Sequence, residues 1–411
     1  MREKLKQGTN YTIGGGYSHR RGFSTVLVAL LIFILGVGVG DGRLNPNFHH
    51  DPKAVSGNLP AKLDYSPVDQ VYQSLKDNYD GKLTESQLID GLKHGLAEAT
   101  KDPYTVYFTA KEAQDFNHQL NNSFAGIGAR LSKDSDGNLV VGEAITGYPA
   151  NKAGLQKQDI ITQINGADTS TLTLDDAIMK IRGPAGTKVT LQIVRDKSQT
   201  LNFTITRQDI KLPSVTTKTL DGNIGYMQIS TFADDTTDLS QKAADQFKQA
   251  GVKGVILDLR DDPGGLLDAA VHVSSLWLNQ GQNVLQEKRE TTVVNSYDAL
   301  GGNELKGIPT VVLINGGSAS ASEITAGALH DNKAAYVIGQ KSYGKGVVQQ
   351  LVNFKDGSQL KVTVASWYRP DGQNINHKGI TPDKTVTISP DDIKAGNDTQ
   401  LTAAEKYLAG Q

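Results

Sequence analysis

The apolar positions of the chain fall into four successive patterns. The first is unbroken: residues 23–40 read FSTVLVALLIFILGVGVG, without a single charge. As a helix this run would extend about 27 Å, close to the thickness of a hydrocarbon core. Arg2, Lys4, Lys6, Arg20 and Arg21 precede it, which orients residues 1–22 to the cytoplasm and the remainder outside. The run therefore predicts a single-pass membrane anchor at the cell membrane. A cleaved signal peptide has a similar profile, but only glycines and Asp41 follow the run, not an A-x-A-like site. Residues 41–61 are polar, with Gly, Pro and Asn, and read as a linker.

The second pattern, over 62–115, has a helical period. Val68, Val71, Tyr72 and Leu75 make one stripe and Leu88, Leu92 and Leu96 another, with Ser66 and Ser86 at the starts. It predicts a small helical unit suited to packing or self-association. The third, over 116–208, consists of short β-rich segments at 139–141, 159–164 and 189–194, an Asn165-Gly166 turn and a short amphipathic helix over 174–181. In the fourth, over 209–390, the runs GVILDL (254–259) and PTVVLI (309–314) each lead into a glycine-rich turn and a helix. That is the βα signature of a mostly parallel sheet covered on both faces, whose sites lie beyond the carboxyl ends of the strands. Residues 391–411 predict a short helical tail. The expected fold class is α+β and multidomain: anchor, helical unit, β-rich domain and α/β core.

Composition narrows the function. Lys and Arg total 42 against 44 Asp and Glu, a net charge of −2, without the basic surplus of a nucleic-acid binder. The absence of cysteine excludes disulfides, thiolate catalysis and cysteine-ligated metals.

The turn after PTVVLI, residues 315–323 (NGGSASASE), is the first candidate for chemistry. A serine at a strand-to-helix junction meets unpaired N–H groups and the positive end of the helix dipole. Both favour an alkoxide nucleophile and a developing oxyanion, although a serine-rich N-cap uses the same residues. His330 lies ten residues on, about 15 Å along the same helix, beyond direct reach of Ser320. His272 and His377 have no supporting pattern. A lysine can act as base if burial disfavours its charge. Lys345, flanked by Gly344 and Gly346, is a candidate, but a solvated turn lysine would have the same neighbours, and the residues alone leave the base open.

Together, GSASASE (317–323) and YGKGVVQ (343–349) resemble the signature of the C-terminal (tail-specific) processing peptidases, serine peptidase family S41. The resemblance extends to DPYTVYF (102–108), FAGIGA (124–129), IRGPAGT (181–187), LDLRDDPGGLL (257–267) and GITPD (379–383), in the family's order. It implies a ClpP/crotonase-like protease core, with Ser320 as nucleophile, Lys345 as general base and Gln349 orienting the lysine from one helical turn away. It also implies oxyanion donors at the N–H of Ala321 and of Gly265 or Gly264, with Gly265 preferred. Asp258, Arg260 and Glu323 would support the site, the first two as a buried ion pair, while Ser318 and Ser322 would be structural. Asp262 stands where many relatives have Asn. No metal or organic cofactor is implied.

Residues 124–207 resemble a PDZ domain, a module that takes an extended C-terminus as an added strand. Gly126, Ile127 and Gly128 would form its carboxylate loop, with Ala129 opening the binding strand. Leu174, Ile178 and Ile181 would form the groove wall, and Arg182 would relay occupancy. The implied partners are protein or peptide substrates held by their C-termini, the membrane through the anchor, and a second copy or a regulator; nucleic acid is not among them. Two rivals are a non-catalytic PDZ scaffold with a degenerate protease domain and a crotonase-like enzyme acting on thioesters. The latter leaves the PDZ module and the Ser–Lys spacing without a role.

Overall fold

The computed structural model describes residues 60, 62–196 and 198–410. The predicted anchor over 23–40 lies outside these residues. Among the described residues no helix is long and apolar enough to cross a membrane.

The helical unit contains α1 (Ser66–Asn78) and α2 (Glu85–Glu98), followed by β1 (Val106–Phe108) and α3 (Ala110–Leu120). The cap of α2 is Thr84 rather than Ser86: its side chain accepts from Gln87 N–H, and Gln87 reaches back to Thr84 N–H. The expected stripe on α1 does not form a core. Val71, Tyr72 and Leu75 are exposed, and α1 buries no residue.

β2 (Ser123–Gly126) leads into the β-rich domain, made of β3 (Ala129–Lys133), β4 (Leu139–Ala144), α4 (Pro149–Ala153), β5 (Ile160–Ile164), β6 (Ala167–Asp168), α5 (Leu174–Ile181), β7 (Lys188–Arg195) and β8 (Gln199–Thr206). The sheet order is β3-β4-β5-β7-β8, with β6 on β5. Asn165 and Gly166 both have positive φ (51° and 79°), as the two-residue turn between β5 and β6 requires. The chain leaves through β9 (Gln208–Lys211), which pairs with β2. Entry and exit thus form one two-stranded ribbon.

The α/β core follows: β10 (Val215–Leu220), β11 (Ile224–Ile229), α6 (Thr236–Ala250), β12 (Gly254–Asp258), α7 (Leu267–Ser275), β13 (Asn283–Arg289), β14 (Thr292–Asp298), β15 (Thr310–Ile314), α8 (Ala321–Asp331), β16 (Tyr336–Gly339), β17 (Val347–Asn353), β18 (Gln359–Tyr368), β19 (Lys384–Thr385), α9 (Pro390–Ala395) and α10 (Thr399–Ala409). Its main sheet has the order β10-β11-β12-β15-β16-β19, parallel except for β10. Side chains alternate between its two apolar faces. Val255, Leu257, Val312 and Ile314 pack with Phe247, Val271 and Ala328 of α6, α7 and α8. Ile256, Val311 and Leu313 pack with Ala404 and Leu408 of α10. The predicted helical tail is therefore a covering layer of the sheet.

The core has a second sheet. β18 pairs with β13, β17 and β1. Through β1, the segment 102–108 of the helical unit becomes part of the protease core.

Candidate active site

The turns after β12 and β15 lie side by side and are stitched together. Ser318 Oγ donates to Leu259 O at 2.7 Å and Ser322 Oγ to Asp262 O at 2.9 Å. Ala319 N–H donates to Asp262 O, and Asn315 Nδ2 to Asp261 Oδ1. Ser318 and Ser322 therefore serve the backbone. Ser320 sits between them at the N-terminus of α8 with φ 57° and ψ −108°, a conformation disfavoured for non-glycine residues at a cost of about 1–3 kcal/mol. Its backbone N–H donates to Glu323 Oε2 at 2.8 Å.

Glu323 is the hub of the site. The same Oε2 accepts Lys345 N–H at 2.9 Å, while Oε1 accepts Gly344 N–H at 2.7 Å and Ser342 Oγ at 2.5 Å. One buried carboxylate thus joins the backbone of Ser320 to that of Lys345, which are 25 positions apart in sequence. Burial raises its pKa, against the pull of the Ser342 hydroxyl and three N–H groups.

Lys345 is 2% exposed. Burial holds its ammonium well below the ordinary lysine range, assisted by the charge of Lys361 and opposed by Glu323 and Asp102. Its Nζ lies 5.1 Å from the centre of the Tyr104 ring, and its carbonyl accepts from Trp367 Nε1 at 2.9 Å. Gly344 and Gly346 are required by packing: a Cβ would come within 2.7 Å of Gly379 N at the first and 2.5 Å of Asn376 N at the second.

Gln349 departs from its expected placement. It lies on strand β17, not one helical turn from Lys345, because β17 pairs with β18 through a bulge at Val348/Gln349. Its Nε2 donates to Thr363 Oγ1 at 3.4 Å, and its buried Oε1 makes no hydrogen bond. The expected orienting bond to Lys345 is therefore not made.

Gly264 N–H is occupied, donating to Asp262 Oδ1 at 2.7 Å. Gly265 forms a parallel bridge with Phe232, closed by Phe232 N–H to Gly264 O and Leu266 N–H to Phe232 O. This geometry turns the N–H of Gly265 away from the bridge. A Cβ there would lie 1.9 Å from Phe232 O. Asp258 and Arg260 form a buried, bidentate pair at 2.6 and 2.9 Å. Tyr226 OH donates to Asp258, and Asp398 holds the other side of Arg260. His330, at the far end of α8, is engaged with Asp331, Arg369 and Asp383.

In the β-rich domain, β3 is an edge strand paired only with β4, among the described residues, and α5 lies beside it. Leu174 and Ile178 are half-buried there, whereas Ile181 is buried in the core and is not part of the groove wall. Gly126 ends β2 and Ile127 is 2% exposed. The carbonyls of Ile127 and Gly128 accept from Ala150 and Ile145. Ala129 opens β3. Arg182 stacks over Phe124 of β2 at 4.8 Å.

Comparison with known proteins identifies the two domains. Peptidase family S41 matches residues 223–386 and a PDZ domain matches 140–195. The carboxy-terminal processing protease CtpA of Bacillus subtilis is 35% identical over 348 residues, 84% of this chain and 73% of that protein. The chain belongs to peptidase family S41. It is a serine-type endopeptidase of the C-terminal processing kind. A CtpA-like serine protease of Staphylococcus haemolyticus is 38% identical over 78% of this chain and 64% of its own length. A solved S41 protease from Bacteroides fragilis shares the fold, with 18% identity and a TM-score of 0.54 over 86% of this chain and 99% of that one.

Two residues around this S41 site carry little local signal of their place in it. Tyr104 and Lys361 come from segments far from the serine turn and meet the lysine only through β1 and β18. The DPYTVYF motif was the available signal for the first; nothing local to Lys361 distinguishes it.

Proposed function

We propose that this peptidase cuts peptide bonds with a Ser320–Lys345 dyad, acting outside the cytoplasm on proteins presented by their C-terminal tails. The observation that carries the dyad is the Glu323 carboxylate, which holds the backbones of Ser320 and the buried Lys345 together. Neutral Lys345 Nζ accepts the Ser320 Oγ proton as Oγ bonds to the scissile carbonyl carbon. The N–H groups of Ala321 and Gly265 receive the oxyanion. The lysine ammonium then gives its proton to the leaving amine, the C–N bond breaks, and an acyl-enzyme remains. Water, deprotonated by Lys345, attacks the ester and frees Ser320. Gln349 would support the lysine after a side-chain rearrangement.

The N–H groups of the loop at Gly126, Ile127 and Gly128 would receive a substrate carboxylate, and the tail would extend β3 from Ala129 beside Leu174 and Ile178. The extracytoplasmic placement rests on the apolar run at 23–40 and the positive residues before it.

The test compares the full chain with Ser320→Ala and Lys345→Ala on an unfolded polypeptide. Both variants should lose cleavage by at least about a thousandfold. Retained cleavage in either one rejects the dyad; an inactive wild type would favour the scaffold reading.

A further inference from the structure

Lys361 is fully buried, and the Ser–Lys mechanism gives it no task. It lies on β18 opposite Val106 of β1 and Leu351 of β17, so a strand covers it on each side. Its Nζ sits 5.5 Å from the centre of the Phe108 ring and 5.3 Å from that of Phe116, and these two rings stack on one another at 4.7 Å. Lys345 Nζ lies against Tyr104 at 5.1 Å. Tyr104 and Phe108 belong to one short segment, 102–108, which therefore covers two buried lysines. Thr363, two residues along β18 from Lys361 and on the same face, holds Gln349.

Two ammonium groups in one apolar layer repel strongly, because low dielectric weakens screening. We propose that Lys361 is a positioning residue of this active site, the charged member of a lysine pair whose repulsion keeps Lys345 able to accept the Ser320 proton. The inference rests on the dyad reading above. Burial lowers both lysines, Lys361 to about 8 and Lys345 well below its ordinary range, and Lys361 has two ring faces to hold its ammonium where Lys345 has one. Among the described residues, the charged or titratable groups around the pair include Asp102, which favours the charged form of both, Glu323 of α8, which favours that of Lys345, and, beside Tyr343, Tyr104, whose hydroxyl burial pushes up to about 12. The aromatic slot at Phe108 and Phe116 accepts the Lys361 ammonium through their ring faces. The arrangement also gives the 102–108 segment a task, although it lies outside the matched S41 region.

The experiment measures kcat/KM against pH for the full-length wild type, Lys361→Met and Asp102→Asn on a fluorogenic unfolded polypeptide, with Lys345→Ala as control. Methionine removes the charge at similar length. The acidic limb of Lys361→Met should move to higher pH, giving several-fold lower activity at neutral pH that recovers under alkaline conditions with KM unchanged. Asp102→Asn preserves the turn acceptor and removes an anion, so its limb should move the other way, to lower pH. A lower plateau at every pH with an unmoved limb would mean Lys361 is merely structural and overturns the inference. If Lys361→Met fails to fold, Lys361→Gln replaces it in the same pH profile, and an unmoved acidic limb there overturns the inference too. An active Lys345→Ala would instead reject the dyad itself.

Discussion

At Asp262 the turn after β12 carries a carboxyl group. The group is fully buried. Oδ1 accepts Gly264 N–H, and Oδ2 has no hydrogen-bond partner. Burial, with a smaller contribution from Asp258, pushes its pKa well above the ordinary 3.8, against the Gly264 N–H and Ser322. The folded chain therefore holds Asp262 protonated at pH values where the unfolded chain has released the proton. Its contribution to stability is complete below the ordinary carboxyl range and is lost as pH rises toward the folded value. Asp262→Asn removes this penalty without changing shape. Its melting temperature should exceed wild type by a few degrees near neutral pH and converge with it as the pH falls to about 4. Parallel melting curves across pH check this; equal pH dependence in the two proteins would show that Asp262 is ionised when folded.

Among the elements, α10 is tied to the site by one side chain. Arg260, just beyond β12, grips Asp258 beneath it and Asp398 at the start of α10. Arg260→Met strands the buried Asp258 charge and should cost about 3–5 kcal/mol. Asp398→Asn, at a partly exposed position, should cost less than about 1 kcal/mol. Denaturant unfolding of both variants checks the order, and a larger loss from Asp398→Asn would contradict it. Local patterns explain why β12, β15, α5 and the turn before Ser320 could be read from sequence: continuous apolar runs, helical spacing and glycine-rich turns are short-range signals. Gln349 could not be placed that way. Four-residue spacing suits a helix, but β18 recruits 347–353 as a strand through pairing that no window of sequence encodes. The same long-range pairing hid Lys361 and drew Tyr104 over Lys345. The periodicity of α5 marks its apolar side without dividing core from groove, so it does not set Ile181, in the core, apart from Leu174 and Ile178.

At the scale of the whole molecule, the open edge of β3 and the serine turn belong to different domains. The PDZ domain joins the rest through the β2–β9 ribbon, with Arg182 stacked on Phe124 of that ribbon. Tail capture at β3 and peptide cleavage at Ser320 should therefore be separable. Amidating the C-terminus of a peptide substrate should weaken its binding at least about tenfold, and Ile178→Glu should do the same while leaving the Ser320 site intact. Fluorescence anisotropy of labelled tail peptides checks both, and equal affinity for acid and amide forms would remove the carboxylate from the recognition scheme. The site itself is assembled from the full span of the described chain: Tyr104 from its start, the serine turn and Lys345 from its middle, and Asp398 bracing Arg260 from its end. On the dyad proposed above, a chain that has emerged during synthesis only as far as Ser320 still lacks Lys345 and β18. Such a nascent chain should cut nothing, neither itself nor the polypeptides around it, until those later segments have folded.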